Sequence, residues 1–122
     1  MLRDGGHLII TAPFCSLTHF APYHYTTGFS RYFYEYHLSK YGFQIIETQE
    51  NGSFFDYLAQ EIRRLDSIAN KYADSRLNFF EKALVFFFLL ALRRLKEKDN
   101  GSNELLCFGY HIHAKKVRLM GK

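Results

Sequence analysis

The first part of the chain alternates short apolar runs with turn residues. After Gly5-Gly6, the run His7 to Ala12 is short and rich in β-branched residues, which predicts a buried strand and not a helix. Pro13 cannot donate to a sheet ladder, so we expect the strand to end there and to open into a long loop, Phe14 to Gly28. Ligands of open α/β sheets bind at this carboxyl edge.

A helix and a second strand follow this loop. Ser30 is a suitable N-cap for a helix from about Arg31 to Tyr41, and Gly42 supplies the stop. Phe43 to Glu47, with two isoleucines inside it, is typical of a strand. The order strand, helix, strand indicates an α/β fold.

Two longer helices interrupt the alternation. Asn51-Gly52-Ser53 begins the first of them, and Asn78 caps the second, with Glu81 at N3 as in a capping box and an end near Lys98. We interpret residues 53–98 as a helical insertion. The first helix carries one apolar stripe, made of Phe55, Leu58, Ile62, Leu65, Ala69 and Tyr72.

The second long helix is apolar on all sides from Ala83 to Leu92. Ten residues are far fewer than the ~20 that span a bilayer, so we expect no transmembrane segment. A helix without a polar face is normally covered. Internal packing against the stripe is the favoured interpretation, followed by a partner subunit and then by contact with a membrane surface.

The last segment, Glu104 to about Val117, alternates apolar and polar residues and predicts a strand that joins the sheet antiparallel. Within it His111 and His113 point to one face. With no cysteine or carboxylate in register, packing or hydrogen bonding is favoured over a zinc site, so we predict no metal.

Composition narrows the class of protein. The 122 residues are 48% hydrophobic and 18% aromatic, as expected for a folded domain or part of one. The net charge of +4 is modest and lies mainly at helix ends, which argues against nucleic-acid binding. Cys15 and Cys107 are isolated and no leader-like apolar stretch precedes the first strand, so a cytoplasmic protein without disulfides is expected.

The loop after the first strand is the best candidate for chemistry. It contains His19 and His24, and no carboxylate lies between Gly5 and Tyr34. A general base in this region therefore has to be histidine or tyrosine, and histidine titrates near neutral pH. The alternative is that both histidines only form hydrogen bonds in an ordered surface loop.

Aromatic residues surround these histidines. Tyr23, Tyr25 and Phe14 could position a substrate against the base, because group transfer depends strongly on alignment. The cluster offers no third convincing ligand for a metal ion. We therefore predict catalytic roles for His19 and His24, and substrate-binding roles for the three aromatic residues.

The order of these motifs resembles the late part of a class I S-adenosylmethionine-dependent methyltransferase of the type-11 branch. The resemblance is carried by Gly5-Gly6, Thr11-Ala12-Pro13-Phe14, Gly42-Phe43 and the strand from Leu105 to Lys116. It implies a partial Rossmann-like sheet of three strands, the last antiparallel, with an inserted helical pair. Residues 1–122 then form a single partial domain.

The same resemblance implies a function. The chain corresponds to the C-terminal, acceptor-side half of a transferase that methylates an acceptor of unidentified class. No segment has the Gly-x-Gly-x-Gly turn that holds S-adenosylmethionine in that family, so no cofactor-binding residues are predicted. On this interpretation the chain is inactive alone and requires a missing N-terminal half or another chain.

A second function class stays open. The chain could be a non-catalytic α/β interaction or dimerisation module. In either case the first strand of a truncated sheet has an unpaired edge, and such edges recruit other chains. We therefore expect a homo-oligomer.

Overall fold

The computed structural model describes residues 2–19 and 21–118, and the chain is an α/β protein. It divides into a sheet unit, Met1–Asn51 with Cys107–Lys122, and a helical unit, Gly52–Leu106. The elements are β1 (His7–Pro13), α1 (Arg31–Lys40), β2 (Phe43–Asn51), α2 (Phe54–Tyr72), α3 (Phe79–Lys96), a 3₁₀ helix (Ser102–Glu104) and β3 (Gly109–Lys116).

The sheet has the order β1-β3-β2, and β3 is antiparallel to both neighbours. The predicted direction of the last strand is therefore confirmed. Ile112 on β3 pairs with Ile10 on one side and Thr48 on the other, and a bulge lies between Ile45 and Glu47. Among the described strands, β1 pairs only with β3, so its other edge is open.

Two strand boundaries differ from the prediction. β2 does not end at Glu47 but continues to Asn51, because its polar residues still complete the backbone ladder with β3. β3 does not begin at Glu104 but at Gly109, because residues 102–104 form a 3₁₀ helix. Ser102 stabilises that turn by donating its N–H and hydroxyl to the Asp99 carboxylate, at 3.0 and 2.7 Å.

The core of the sheet unit lies between α1 and one face of the sheet. Tyr34 and Leu38 on α1 pack with Cys107, which precedes β3, and with three residues of β3; all four are almost fully buried, and the three on β3 are Tyr110, Ile112 and Ala114. Ser30 is the N-cap as predicted, although its side chain makes no capping hydrogen bond. The bond from Phe108 N–H to the Asn51 carbonyl, 2.8 Å long, joins the ends of β2 and β3.

In the helical unit, both helices begin with a capping box. Ser53 and Asp56 cap α2, and the predicted pair Asn78 and Glu81 caps α3. An ion pair of 2.6 Å between Lys96 Nζ and Asp56 Oδ1 links the two helices. Because both caps satisfy backbone donors that helix ends leave unpaired, the start of each helix is set by the local sequence.

The predicted packing of α3 against α2 is only partly correct. Leu92 is buried, and Val85 and Leu89 are half-buried, but all five phenylalanines of α3 are exposed. A single partner helix covers one side of a helix that is apolar on all sides. None of the helices among the described residues has the length and apolarity needed to cross a bilayer.

Two buried tyrosines and one buried cysteine make the stability of the sheet unit depend on pH in the alkaline range. The pKa of Tyr110 is raised to about 12, chiefly because burial disfavours the phenolate. Burial also raises the pKa of Cys107 and of Tyr34. In the unfolded chain these groups lose their protons near pH ~8.5 for the thiol and ~10 for the phenols. The stability they contribute is complete below those values and is lost as pH rises through the folded pKa values.

We predict that the free energy of unfolding falls above pH ~8.5 and most steeply above pH ~10. Tyr110→Phe removes the group with the largest pKa shift, so the free energy of unfolding of this variant should fall less steeply above pH ~10. Each unit of pKa shift corresponds to ~1.4 kcal/mol. Urea unfolding at a series of pH values measures this slope. Tyr25→Phe, which changes an exposed tyrosine, is the control. An unchanged slope in the Tyr110 variant would contradict the prediction.

Candidate functional site at the carboxyl end of the first strand

The loop from Phe14 to Gly28 begins where β1 ends. The Phe14 N–H donates to the Phe108 carbonyl at 2.9 Å, which fixes the first residue of the loop to the chain before β3. The Phe14 ring is half-buried and packs 5.6 Å from the ring of Tyr110. The structure thus places Phe14, predicted to contact substrate, against the core of the sheet unit.

The other end of the loop returns to the same point. Gly28 has a φ of +150°, and a Cβ atom there would collide with the Pro13 carbonyl oxygen. Only glycine permits both this dihedral and this approach. The loop is therefore closed on the carboxyl end of β1 at both its ends.

The two predicted catalytic histidines lie together within this loop. The rings of His19 and His24 lie 4.7 Å apart, edge to face, with an angle of 80° between their planes. His19 is exposed, and its Nδ1 lies 2.9 Å from the Leu17 carbonyl oxygen. The pair is therefore built by local contacts within the loop.

The His24 ring is held by the backbone of His19. Its Nδ1 lies 3.2 Å from both the N–H and the carbonyl oxygen of His19. A neutral ring nitrogen can accept from the first or donate to the second, so the tautomer decides which bond forms. In either case His24 Nε2 is buried and has no hydrogen-bond partner among the described residues.

An unpaired buried polar atom costs about 1–3 kcal/mol. A ligand that hydrogen-bonds His24 Nε2 would recover that free energy, which distinguishes His24 from His19. The sequence could not separate the two, because a loop has no periodicity from which to infer side-chain direction. Since Nε2 is buried, the loop has to shift before a ligand can reach it.

Tyr23 and Tyr25 lie on either side of His24 in sequence, but their rings point to solvent. They are 75% and 87% exposed, respectively. The structure thus brings together the two histidines and leaves the two tyrosines apart from them. As exposed rings they can contact an acceptor only if it approaches the outer surface of the loop.

A small cavity of about 130 Å³ lies at the ends of the strands. It is lined by backbone and side chains of Thr11, Ala12, Pro13, Asn51, Phe108, Gly109, Tyr110 and His111. Sites for small molecules usually measure ~300–1,000 Å³. This cavity is therefore too small for a cofactor of nucleoside size.

His111 and His113 share the face of the sheet opposite α1, as predicted, and both form hydrogen bonds. His113 Nε2 lies 2.7 Å from His7 Nδ1, and His111 Nδ1 lies 3.1 Å from Thr11 Oγ1. Sequence reasoning missed His7, because its pairing depends on the register of β1 with β3. In the part of the chain that the structure describes, no group of three or more His, Cys, Asp or Glu residues is arranged to hold a metal ion.

Comparisons with known proteins add no relative. No family model, no curated protein and no solved structure matches this chain. The function is therefore inferred from its sequence motifs and from the geometry of the loop.

We predict that Gly28→Ala releases the loop from β1. The added Cβ should cost about 1–3 kcal/mol through overpacking, in addition to strain at a positive φ. Hydrogen exchange of the loop amides should rise. Gly5→Ala is the control, because Gly5 also has a positive φ, +82°, but no atom within 4 Å of the added Cβ. Equal effects of the two changes would contradict a specific role for the contact with Pro13.

Proposed function

We propose that this chain is the acceptor-side part of an S-adenosylmethionine-dependent methyltransferase, in which the His19 and His24 pair serves as general base. The observation that carries the proposal is the contact between the two histidines in a loop closed on the carboxyl end of β1. Ligands of open α/β sheets bind at this edge.

The direction of the strands supports the proposal. β1 and β2 run the same way and β3 runs against both, which is the arrangement that the resemblance implies for the last strand. The helical unit lies between β2 and β3 in the chain, at the position of the inserted region. A partial Rossmann-like sheet is therefore the fold that we propose for the sheet unit.

The described residues do not fit the cofactor. The sequence has no Gly-x-Gly-x-Gly turn, and the cavity at the strand ends, about 130 Å³, is small. Backbone amides of such a turn and of the following helix are what recognise the cofactor in this fold. The methyl donor has to be bound by residues other than those described here.

The chemistry left to this chain is proton transfer. A neutral imidazole accepts the proton of an acceptor hydroxyl or amine as that group becomes a nucleophile. His24 is the better candidate, since its Nε2 is unpaired and its Nδ1 is oriented by the backbone of His19. His19 then acts as a positioning residue for the ring of His24.

A non-catalytic interaction module is the second candidate function. It is favoured by the open edge of β1 and by the exposed phenylalanines of α3. The two candidates make opposite predictions for the coding sequence upstream of Met1. A strand followed by a Gly-x-Gly-x-Gly turn within ~150 residues, the usual span of one domain, supports the methyltransferase. An upstream intergenic region supports the module.

We predict that the chain alone shows no measurable binding of S-adenosylmethionine in calorimetry. The same chain joined to a segment that carries the glycine-rich turn should bind it, because the amides of that turn supply the recognition. Thermal unfolding with and without the cofactor gives an independent measurement. Micromolar binding by the chain alone would refute the assignment of the cofactor site to another segment.

We also predict that His24→Ala in the joined protein lowers turnover by ~100-fold or more and leaves cofactor affinity unchanged, as expected for loss of a general base. His19→Ala should have a smaller effect if it only positions His24. Tyr23→Phe and Tyr25→Phe keep the ring and remove the hydroxyl, so they should mainly weaken acceptor binding. Near-normal turnover in both histidine variants would contradict the catalytic role and show that the loop only lines the acceptor site.

A further inference from the structure

One side of α3 forms a continuous exposed apolar surface, which we call the α3 face. Its members lie on the helix away from the residues that pack on α2. They are Phe79, Phe80, Leu84, Phe87, Phe88 and Leu95, with exposures between 41% and 81%. Phe86 and Leu90 are not included, because they line a groove with Phe55 and Ala59 of α2. No charged residue lies between Lys82 and Arg93 to interrupt this surface.

The size of the α3 face is that of a protein interface. An aromatic side chain offers ~150–250 Å² of surface, so four phenylalanines at these exposures and two leucines present on the order of 700 Å². A stable protein interface buries ~800 Å² on each partner. Monomeric proteins rarely expose apolar patches of more than a few hundred Å².

Charge argues against a lipid surface as the occupant. Interfacial helices combine an apolar face with a strongly basic polar face. The helical unit has nine Lys and Arg against eight Asp and Glu residues, so it is nearly neutral. Two of the three basic residues in the last turn of α3 have acidic neighbours, since Lys96 is paired with Asp56 and Arg93 lies 3.8 Å from Glu97.

We propose that the α3 face is an interface between two copies of this chain. The same apolar surface then meets itself across a two-fold axis, which is the commonest symmetry of soluble oligomers. Two helical units joined in this way place four helices together, and α3 becomes buried on both sides. This inference does not depend on the proposed methyltransferase function.

The experiment compares the mass of the wild-type chain with that of two variants by sedimentation equilibrium. Phe87→Glu and Leu84→Glu place a carboxylate in the middle of the α3 face and should raise the dissociation constant of the dimer by at least ~30-fold. Tyr72→Glu changes an equally exposed ring at the end of α2 and should leave the dimer unchanged. Far-UV circular dichroism confirms that each variant retains its helices.

Several results would overturn the proposal. A monomeric wild-type chain does so directly, whatever the variants do. A dimer that persists in both α3 variants indicates another interface, such as the open edge of β1. A wild-type chain that is monomeric in solution but sediments with vesicles of phosphatidylserine and phosphatidylcholine assigns the α3 face to a membrane surface.

Discussion

The structure depends on β3 occupying the middle of the sheet. Both other strands pair with β3 and neither pairs with the other, so the sheet unit is held by contacts between residues that are far apart in sequence. Gly109 opens β3 at a point where a Cβ atom would collide with the Ala12 carbonyl oxygen. The close approach of β1 and β3 at this end therefore requires the absence of a side chain. Everything at the carboxyl end of β1, including the loop with its two histidines, is placed by that approach.

Local signals in the sequence predicted what local interactions determine. The capping pair Asn78 and Glu81, the N-cap Ser30 and the start of β1 all lie where the sequence indicated, because each is decided by neighbours within a few residues. The end of β2 and the start of β3 were misplaced. Their limits depend on pairing across the sheet, which hydrophobic alternation over a short window does not reveal.

The candidate site was predictable in composition but not in geometry. The absence of carboxylates in the loop indicated histidine or tyrosine as a general base, and this stays a prediction. The contact between His19 and His24 depends on how the loop backbone folds back on itself. A loop has no helical or strand periodicity, so the sequence does not reveal which of its side chains meet. The position of Phe14 against the core was also not predictable, since only the pairing of β1 with β3 places it beside Tyr110.

The hydrogen bond between Asn51 and Phe108 holds together the two points of the sheet unit between which the helical unit is inserted. The chain leaves the sheet unit after Asn51 and re-enters it at Cys107, next to Phe108, so the two connections to the 55 residues of Gly52–Leu106 lie side by side. Segments whose ends lie close together are the ones that insertion and excision tolerate best. Replacing the helical unit by a tight turn would leave β2 and β3 as an ordinary β-hairpin. The helical unit is therefore an insertion between two neighbouring strands, and its length or sequence can be changed without changing the connection between β2 and β3.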